Sequence, residues 1–254
     1  MGAITDYMDV GQMTLYVFWI FFAGLIYYLR REDKREGYPL ESTRSRDIRI
    51  QGWPPMPEPK SFKLQDGSLV YAPKAGPSVA ERPAAAPAAW PGAPIEPTGN
   101  PMIDGVGPAA YAKREEVPDL TLDGHPKIVP MRVATEFTVE ERDPDPRGME
   151  VVGTDGEVGG VVTDIWVDRA EPQIRYLEVE VSAVAGKRRV LLPINFTRVK
   201  DRFVKVQSIT GRQFADVPGL RHPDQITLRE EDQICAYYAG GHLYAEPARL
   251  GPWL

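Results

Sequence analysis

VGQMTLYVFWIFFAGLIYYL, Val10 to Leu29, is a run of twenty residues without a charged side chain, and its reading decides the architecture. At ~1.5 Å rise per residue a helix of this length reaches roughly 30 Å, the thickness of a bilayer's hydrocarbon core. A buried helix of a soluble protein rarely needs more than ~14 such residues. The run predicts one transmembrane helix, from which a charged, proline-rich and then strand-like chain hangs. A cleavable signal peptide is the competing reading. Against it, no Lys or Arg precedes the run, Asp6 and Asp9 stand where a positive region belongs, and no small-x-small pattern precedes Arg30. Arg30, Arg31, Lys34 and Arg35 cluster just after the run, while residues 1–9 carry acids as their only charged side chains. That bias predicts an N-terminus on the periplasmic side and a cytoplasmic main domain. Tyr27 and Tyr28 suit the cytoplasmic membrane edge, whereas Trp19 falls mid-span and suits contact with a partner helix.

The 254 residues carry a formal net charge of −6, so the whole chain has no electrostatic footprint for nucleic acid. A local basic patch facing anionic lipid remains allowed after the helix. The single cysteine, Cys235, excludes an internal disulfide and a cysteine-cluster zinc site, and reads as a small buried apolar residue. His125, His222 and His242 are the only histidines and do not pair at helical ligand spacing. No phosphate-binding glycine loop or nucleophile elbow is present, so no hydrolase reading survives.

From Gln51 to about Asp119 the chain holds more than half of its 25 prolines, including the stretch AAAPAAWPGAP from Ala84 to Pro94. Such a segment cannot run as regular helix or interior strand. A disordered linker is one account. Trp53, Phe62, Leu64, Val70, Tyr71, Trp90, Met102 and Tyr111 are too many large apolar groups for a solvated tether, which favours an extended segment laid over another protein's surface. The resulting division is a tail over 1–9, a transmembrane helix over 10–29, a linker and extended segment over 30–119, and a folded domain over 120–254.

Between Gly148 and Pro218 the pattern changes to short alternating runs separated by turn residues, as in a small antiparallel barrel or sandwich. Leu177, Val179 and Val181 fall on one face of a strand with Glu178 and Glu180 on the other; Val204 and Val206 likewise oppose Lys205 and Gln207. Ala185-Gly186-Lys187 and Lys200-Asp201-Arg202 read as hairpin turns, and Gly156, Gly159 and Gly160 as a tight turn into a strand. A late helix is expected from Leu228 to Tyr238, with Glu230, Glu231 and Asp232 in its first turn and Gly240-Gly241 as its stop. Asp164 and Asp168 bracket Trp166, and Glu171 follows in a Glu-Pro turn with Arg175 close by. These acids are either the solvated edge of a strand or an ion-pairing, proton-conducting cluster, because burial can raise a carboxylate toward neutrality.

FWIFFAGLIYYLRREDKREGYPLE (Phe18 to Glu41), GNPMIDGVGPAA (Gly99 to Ala110), VTDIWVD (Val162 to Asp168) with RYLEVEV (Arg175 to Val181), and EEDQICAYYAGGHLYA (Glu230 to Ala245) together resemble the H subunit of the purple-bacterial photosynthetic reaction centre. The likeness is weakest between Ser42 and Ala93. It implies an α+β, mainly β chain: one transmembrane helix, an extended Pro-rich segment, and a cytoplasmic small β-barrel of the PRC type with a short C-terminal helix. It implies a non-catalytic subunit that caps the L and M subunits and conducts protons to the secondary quinone. L and M, not this chain, would bind the bacteriochlorophylls, bacteriopheophytins, quinones and non-haem iron. A cytochrome subunit, a light-harvesting antenna and the lipids of the bacterial inner membrane are further implied neighbours.

By the same resemblance Glu171 matches the carboxylate nearest the quinone pocket, Asp168 a neighbouring acid, and Arg175 a charge that tunes both. Asp123 and His125, in LDGHPKIVPM (Leu122 to Met131), match the surface point of proton uptake, an exposed imidazole being suited to that task. An ordinary surface histidine is the alternative, and the charge of Lys127 opposes proton capture. Pro126 and Lys127 follow His125 directly where some relatives carry a second histidine, so a metal-blocked uptake site is not expected. Arg30, Arg31, Lys34, Arg35 and Tyr38 match positions in contact with lipid and neighbouring subunits. A single-pass scaffold whose barrel binds an unrelated cytoplasmic protein is the rival reading.

Overall fold

In the computed structural model, which describes residues 9–41, 48–73, 84–85, 96–182 and 188–250, the apolar run becomes helix α1, Val10–Asp33. Asp9 caps it by accepting from Gln12 N at 2.9 Å, and Arg30 and Arg31 complement the dipole in its last turn. The helix is long and apolar enough to cross a membrane, and none of its apolar stretch is buried within the chain, Trp19 included. It extends a turn beyond Leu29 because nothing in Arg30–Asp33 breaks a helix.

The described residues divide into two compact units, one up to residue 73 and one comprising 84–85 and 96–250. In the first, β1 (Leu40–Glu41) pairs with β2 (Arg49–Ile50), and β3 (Lys60–Lys63) forms a hairpin with β4 (Leu69–Ala72). Two side chains just past α1 hold this ribbon. Lys34 is buried, and its Nζ donates to Gln51 O at 2.6 Å and also to Pro54 O. Arg35 Nη1 donates to Glu58 O at 2.7 Å and Ala72 O at 2.9 Å. The prolines flank these strands without entering them, and Trp53, Phe62, Leu69, Val70 and Tyr71 remain exposed.

In the second unit β5 (Ala84–Ala85) pairs with β6 (Glu96–Pro97), and the one-turn helix α2 (Pro101–Asp104) is capped by Asn100. The main sheet contains β7 (Ile128–Pro130), β8 (Glu150–Val152), β9 (Val158–Asp168), β10 (Gln173–Val181), β11 (Arg189–Pro193), β12 (Thr197–Val199) and β13 (Phe203–Val206). Its order is β11-β10-β9-β8-β13-β12, with β7 also paired to β9, and it curls into a half-barrel. All ladders are antiparallel except β8 with β13, which is parallel, a departure from the purely antiparallel expectation. Lys200 to Arg202 makes the β12–β13 turn as expected. The expected turn at Ala185-Gly186-Lys187 lies outside the described residues.

Leu177, Val179, Val181, Val204 and Val206 point into the core with Ile165, Trp166, Leu191 and Leu192. Gly156 makes the β8–β9 turn at φ +87, whereas Gly159 and Gly160 lie within β9. A Cβ on Gly159 would stand 2.3 Å from the Phe214 ring, and one on Gly160 2.3 Å from Glu180 O, so both serve close approach.

The late helix, α3, spans Leu228–Tyr244 and does not stop at Gly240-Gly241. Both glycines are buried, and a Cβ would stand 2.6 Å from Ala109 Cβ at Gly240 and 2.5 Å from Ser208 O at Gly241. Packing outweighs the ~1 kcal/mol that each glycine costs a helix. The GVGPAA and YYAGGH motifs thereby become one contact. Thr227 and Glu230 form a reciprocal capping box, so Glu230 secures the first turn of the helix.

Candidate functional site

Asp168 ends β9 and is 1% exposed. Its Oδ1 accepts from Ala170 N at 2.9 Å and Glu171 N at 3.1 Å, folding the chain into the turn that presents Glu171 to solvent. Lys127 Nζ lies 3.5 Å from Asp168 Oδ2 and 3.7 Å from Asp119 Oδ2, bridging two carboxylates. Glu171 Oε2 accepts from Gln173 Nε2 at 3.3 Å.

The loop holding Asp123 and His125 is brought to this end of β9 by backbone pairing. Ile128 opposes Asp168 in the β7–β9 ladder, and Arg169 N donates to Lys127 O at 2.9 Å. Within the loop Thr121 N donates to His125 O at 2.8 Å and Gly124 N to Thr121 O at 3.0 Å. Gly124 sits at φ +80, which explains a glycine between Asp123 and His125. Both of those side chains are exposed.

The charge of half-buried Arg175 acts on Glu231 and Cys235 of α3. Glu231 is half-buried and accepts from Tyr176 Oη at 3.0 Å. Burial pushes its carboxyl above the usual carboxylate range, and Asp119 adds to that, while Tyr176, Arg175 and Arg114 pull it back. Burial likewise pushes the thiol of half-buried Cys235 up. Asp119 thus faces Lys127 and also acts on Glu231, joining the turn of Asp168 to the start of α3.

A second acidic group lies deeper. Glu178, 3% exposed, does not face solvent as the period-two pattern predicts. It opposes Asp164 in the β9–β10 register, and two adjacent carboxylates need a cation between them. Arg132 Nη1 supplies it, 2.8 Å from Glu178 Oε2 and 3.0 Å from Asp164 Oδ2. Arg189, the Trp166 indole N–H and Thr163 Oγ1, each at 3.1 Å, complete the shell of Glu178. Asp119, Lys127, Arg132, Glu178 and Glu231 carry no local motif; strand register and helix docking assemble them.

At the membrane end, Arg30 is exposed, with Nη2 3.5 Å from Tyr38 Oη, and Arg31 is half-buried. Lys34 and Arg35 are engaged by carbonyls of their own chain, so their first task is to hold the ribbon after α1.

Comparison with known proteins agrees with this organisation. A family model described as photosynthetic reaction centre, H-chain N-terminal region, matches residues 2–133, and the PRC-barrel domain model matches residues 138–213. An uncharacterized protein of Deinococcus radiodurans is 32% identical over 77 residues, 30% of this chain and 28% of that protein. The chain therefore spans little more than a quarter of that relative. With the H-chain match covering more than half of its length and the barrel match following in order, this chain belongs to the photosynthetic reaction centre H-chain family.

Proposed function

We propose that this chain caps the L and M subunits of a reaction centre on the cytoplasmic side and passes protons toward the secondary quinone. The observation that carries this reading is the backbone junction that ties the His125 loop to the Asp168–Glu171 turn, within a chain of the H-chain family. Reducing a quinone to a quinol consumes two protons, so a buried quinone needs titratable groups between it and water. His125 and Asp123 collect protons at the surface, Glu171 delivers them, and Asp168 is a positioning residue that holds the turn of Glu171. Glu231 with Tyr176 adds a half-buried acid whose raised affinity for protons suits an intermediate station. The bacteriochlorophylls, bacteriopheophytins, quinones and non-haem iron belong to L and M in this reading. The exposed apolar residues of the β3–β4 hairpin and Trp53 are the surface laid against those subunits.

The test begins with the complex isolated from membranes through this chain. Near-infrared bacteriochlorophyll and bacteriopheophytin bands are expected; a colourless preparation would leave the single-pass scaffold as the reading. In the pigmented complex, Glu171→Gln is expected to slow the second electron transfer to the secondary quinone at least several-fold. Unchanged kinetics between about pH 6 and pH 9 would remove Glu171 from the relay.

A further inference from the structure

The curled sheet and the 137–146 segment line a cavity of about 560 Å³, with an open mouth, that none of the roles above uses. Its floor is apolar and buried, formed by Met131, Val167 and Leu177, and half-buried Phe137, Ile174 and Val199 form its sides. The rim is acidic. Glu140 and Asp143 line the opening, and an adjoining recess adds Glu141 and Asp145. Asp145 is neutralised by Arg147, 2.5 Å away, whereas Glu140, Glu141 and Asp143 have no ion-pair partner among the described residues. Arg142 is the one other cation of the 140–147 run, which leaves a net charge of −2 at the mouth.

An apolar floor under an uncompensated acidic rim selects its occupant. Anionic lipid headgroups and nucleic acid are repelled by the carboxylates. A neutral apolar small molecule gains nothing from them. A peptide gains from both parts, apolar side chains filling the floor and basic neighbours meeting the rim, where charge complementarity speeds encounter and fixes register.

We propose that this mouth is the docking site for an extended peptide segment of a neighbouring subunit, carrying bulky apolar side chains next to lysine or arginine. Only the identity of the neighbour rests on the proposed function. Pro172 and Gln173 also line the cavity, so an occupant abuts the turn that carries Glu171, and docking is coupled to the placement of that carboxylate.

The binding test uses the full chain in phosphatidylcholine nanodiscs, whose zwitterionic surface does not itself attract cations. The probe is a fluorescent peptide of leucine, tryptophan and leucine between two lysines, compared with the same peptide between two glutamates. Saturable binding of the lysine peptide, at least tenfold tighter than the glutamate peptide, is expected. The double substitution Glu140→Lys with Asp143→Lys, at two exposed positions that leave the core intact, is expected to abolish that preference. Equal binding of the two peptides, or an unchanged preference in the variant, would overturn the proposal. In the isolated complex, a photo-crosslinking residue placed at exposed Thr138 is expected to capture a basic segment of a neighbouring subunit. A pigmented complex without a crosslink removes this docking site and leaves the proposed function standing. Peptide selectivity in a colourless complex does the reverse.

Discussion

Glu178 shows what one buried carboxylate does in this sheet. It accepts from Arg132, Arg189, the Trp166 indole and Thr163 Oγ1, so truncating it strands a part-buried guanidinium and a buried N–H together. Breaking one side of a buried pair costs about 3–5 kcal/mol, and the lower end applies because Arg132 reaches solvent. Glu178→Ala is expected to destabilise the chain by about 3 kcal/mol in denaturant titrations, with Glu178→Gln costing less; a loss below about 1 kcal/mol would mean that water replaces the network. Glu231 makes a pH-dependent prediction. Its folded carboxyl holds a proton more tightly than the usual value of 4.5, chiefly through burial. That preference contributes stability fully below about pH 4.5 and loses it as pH rises through the raised folded value. Thermal melts of Glu231→Gln should therefore fall less steeply with rising pH than those of the native chain. Parallel curves would show that Glu231 is not the group responsible.

At the scale of elements, α3 is the instructive case. Gly240-Gly241 reads locally as a stop, yet the helix continues through it because Ala109, the Ser208 carbonyl and the Ile209 side chain occupy the space a side chain would need. Gly240→Val is expected to cost about 1–3 kcal/mol through overpacking, although valine forms helix better than glycine. A variant as stable as the native chain would mean that the 107–109 turn can withdraw. The start of the same helix was legible at Leu228, from the acids Glu230, Glu231 and Asp232 grouped in its first turn, whereas the capping box of Thr227 with Glu230 came from the structure. The β9–β10 hairpin was half legible. Leu177, Val179 and Val181 follow period two, but bulges near Tyr176 and Val179 and the packing on both faces bury Glu178, which alternation assigns to water, together with Asp164, for which the sequence left an exposed edge and an ion-pairing cluster open. The site divides in the same way. The Asp123-Gly124-His125 loop and the Asp168–Glu171 turn are local and could be named, whereas the action of the Arg175 charge on Glu231 of α3, 56 positions away in sequence, follows from helix docking.

At the scale of the whole molecule, every residue of the buried apolar core found among the described residues lies between Met102 and Tyr238. A chain lacking residues 1–95 is therefore expected to stay folded and to melt cooperatively, with near-ultraviolet dichroism from buried Trp166 as the readout. Loss of that signal would mean that the membrane-proximal unit carries part of the stability. The described residues of that unit contribute none of the buried core cluster, and Lys34 and Arg35 tie them together by clasping the carbonyls of Gln51, Pro54, Glu58 and Ala72. By itself the sequence determined the membrane helix, the strand-rich domain, the start of the late helix and the family, because charge-free length, period-two alternation, an acid-rich first turn and short motifs act over neighbouring residues. The tertiary structure alone decided which acids are buried, which cations neutralise them, that two glycines sit inside a helix, and that the sheet leaves an acid-rimmed cavity. Those outcomes depend on register and close approach between residues far apart in the chain, and no local pattern encodes them.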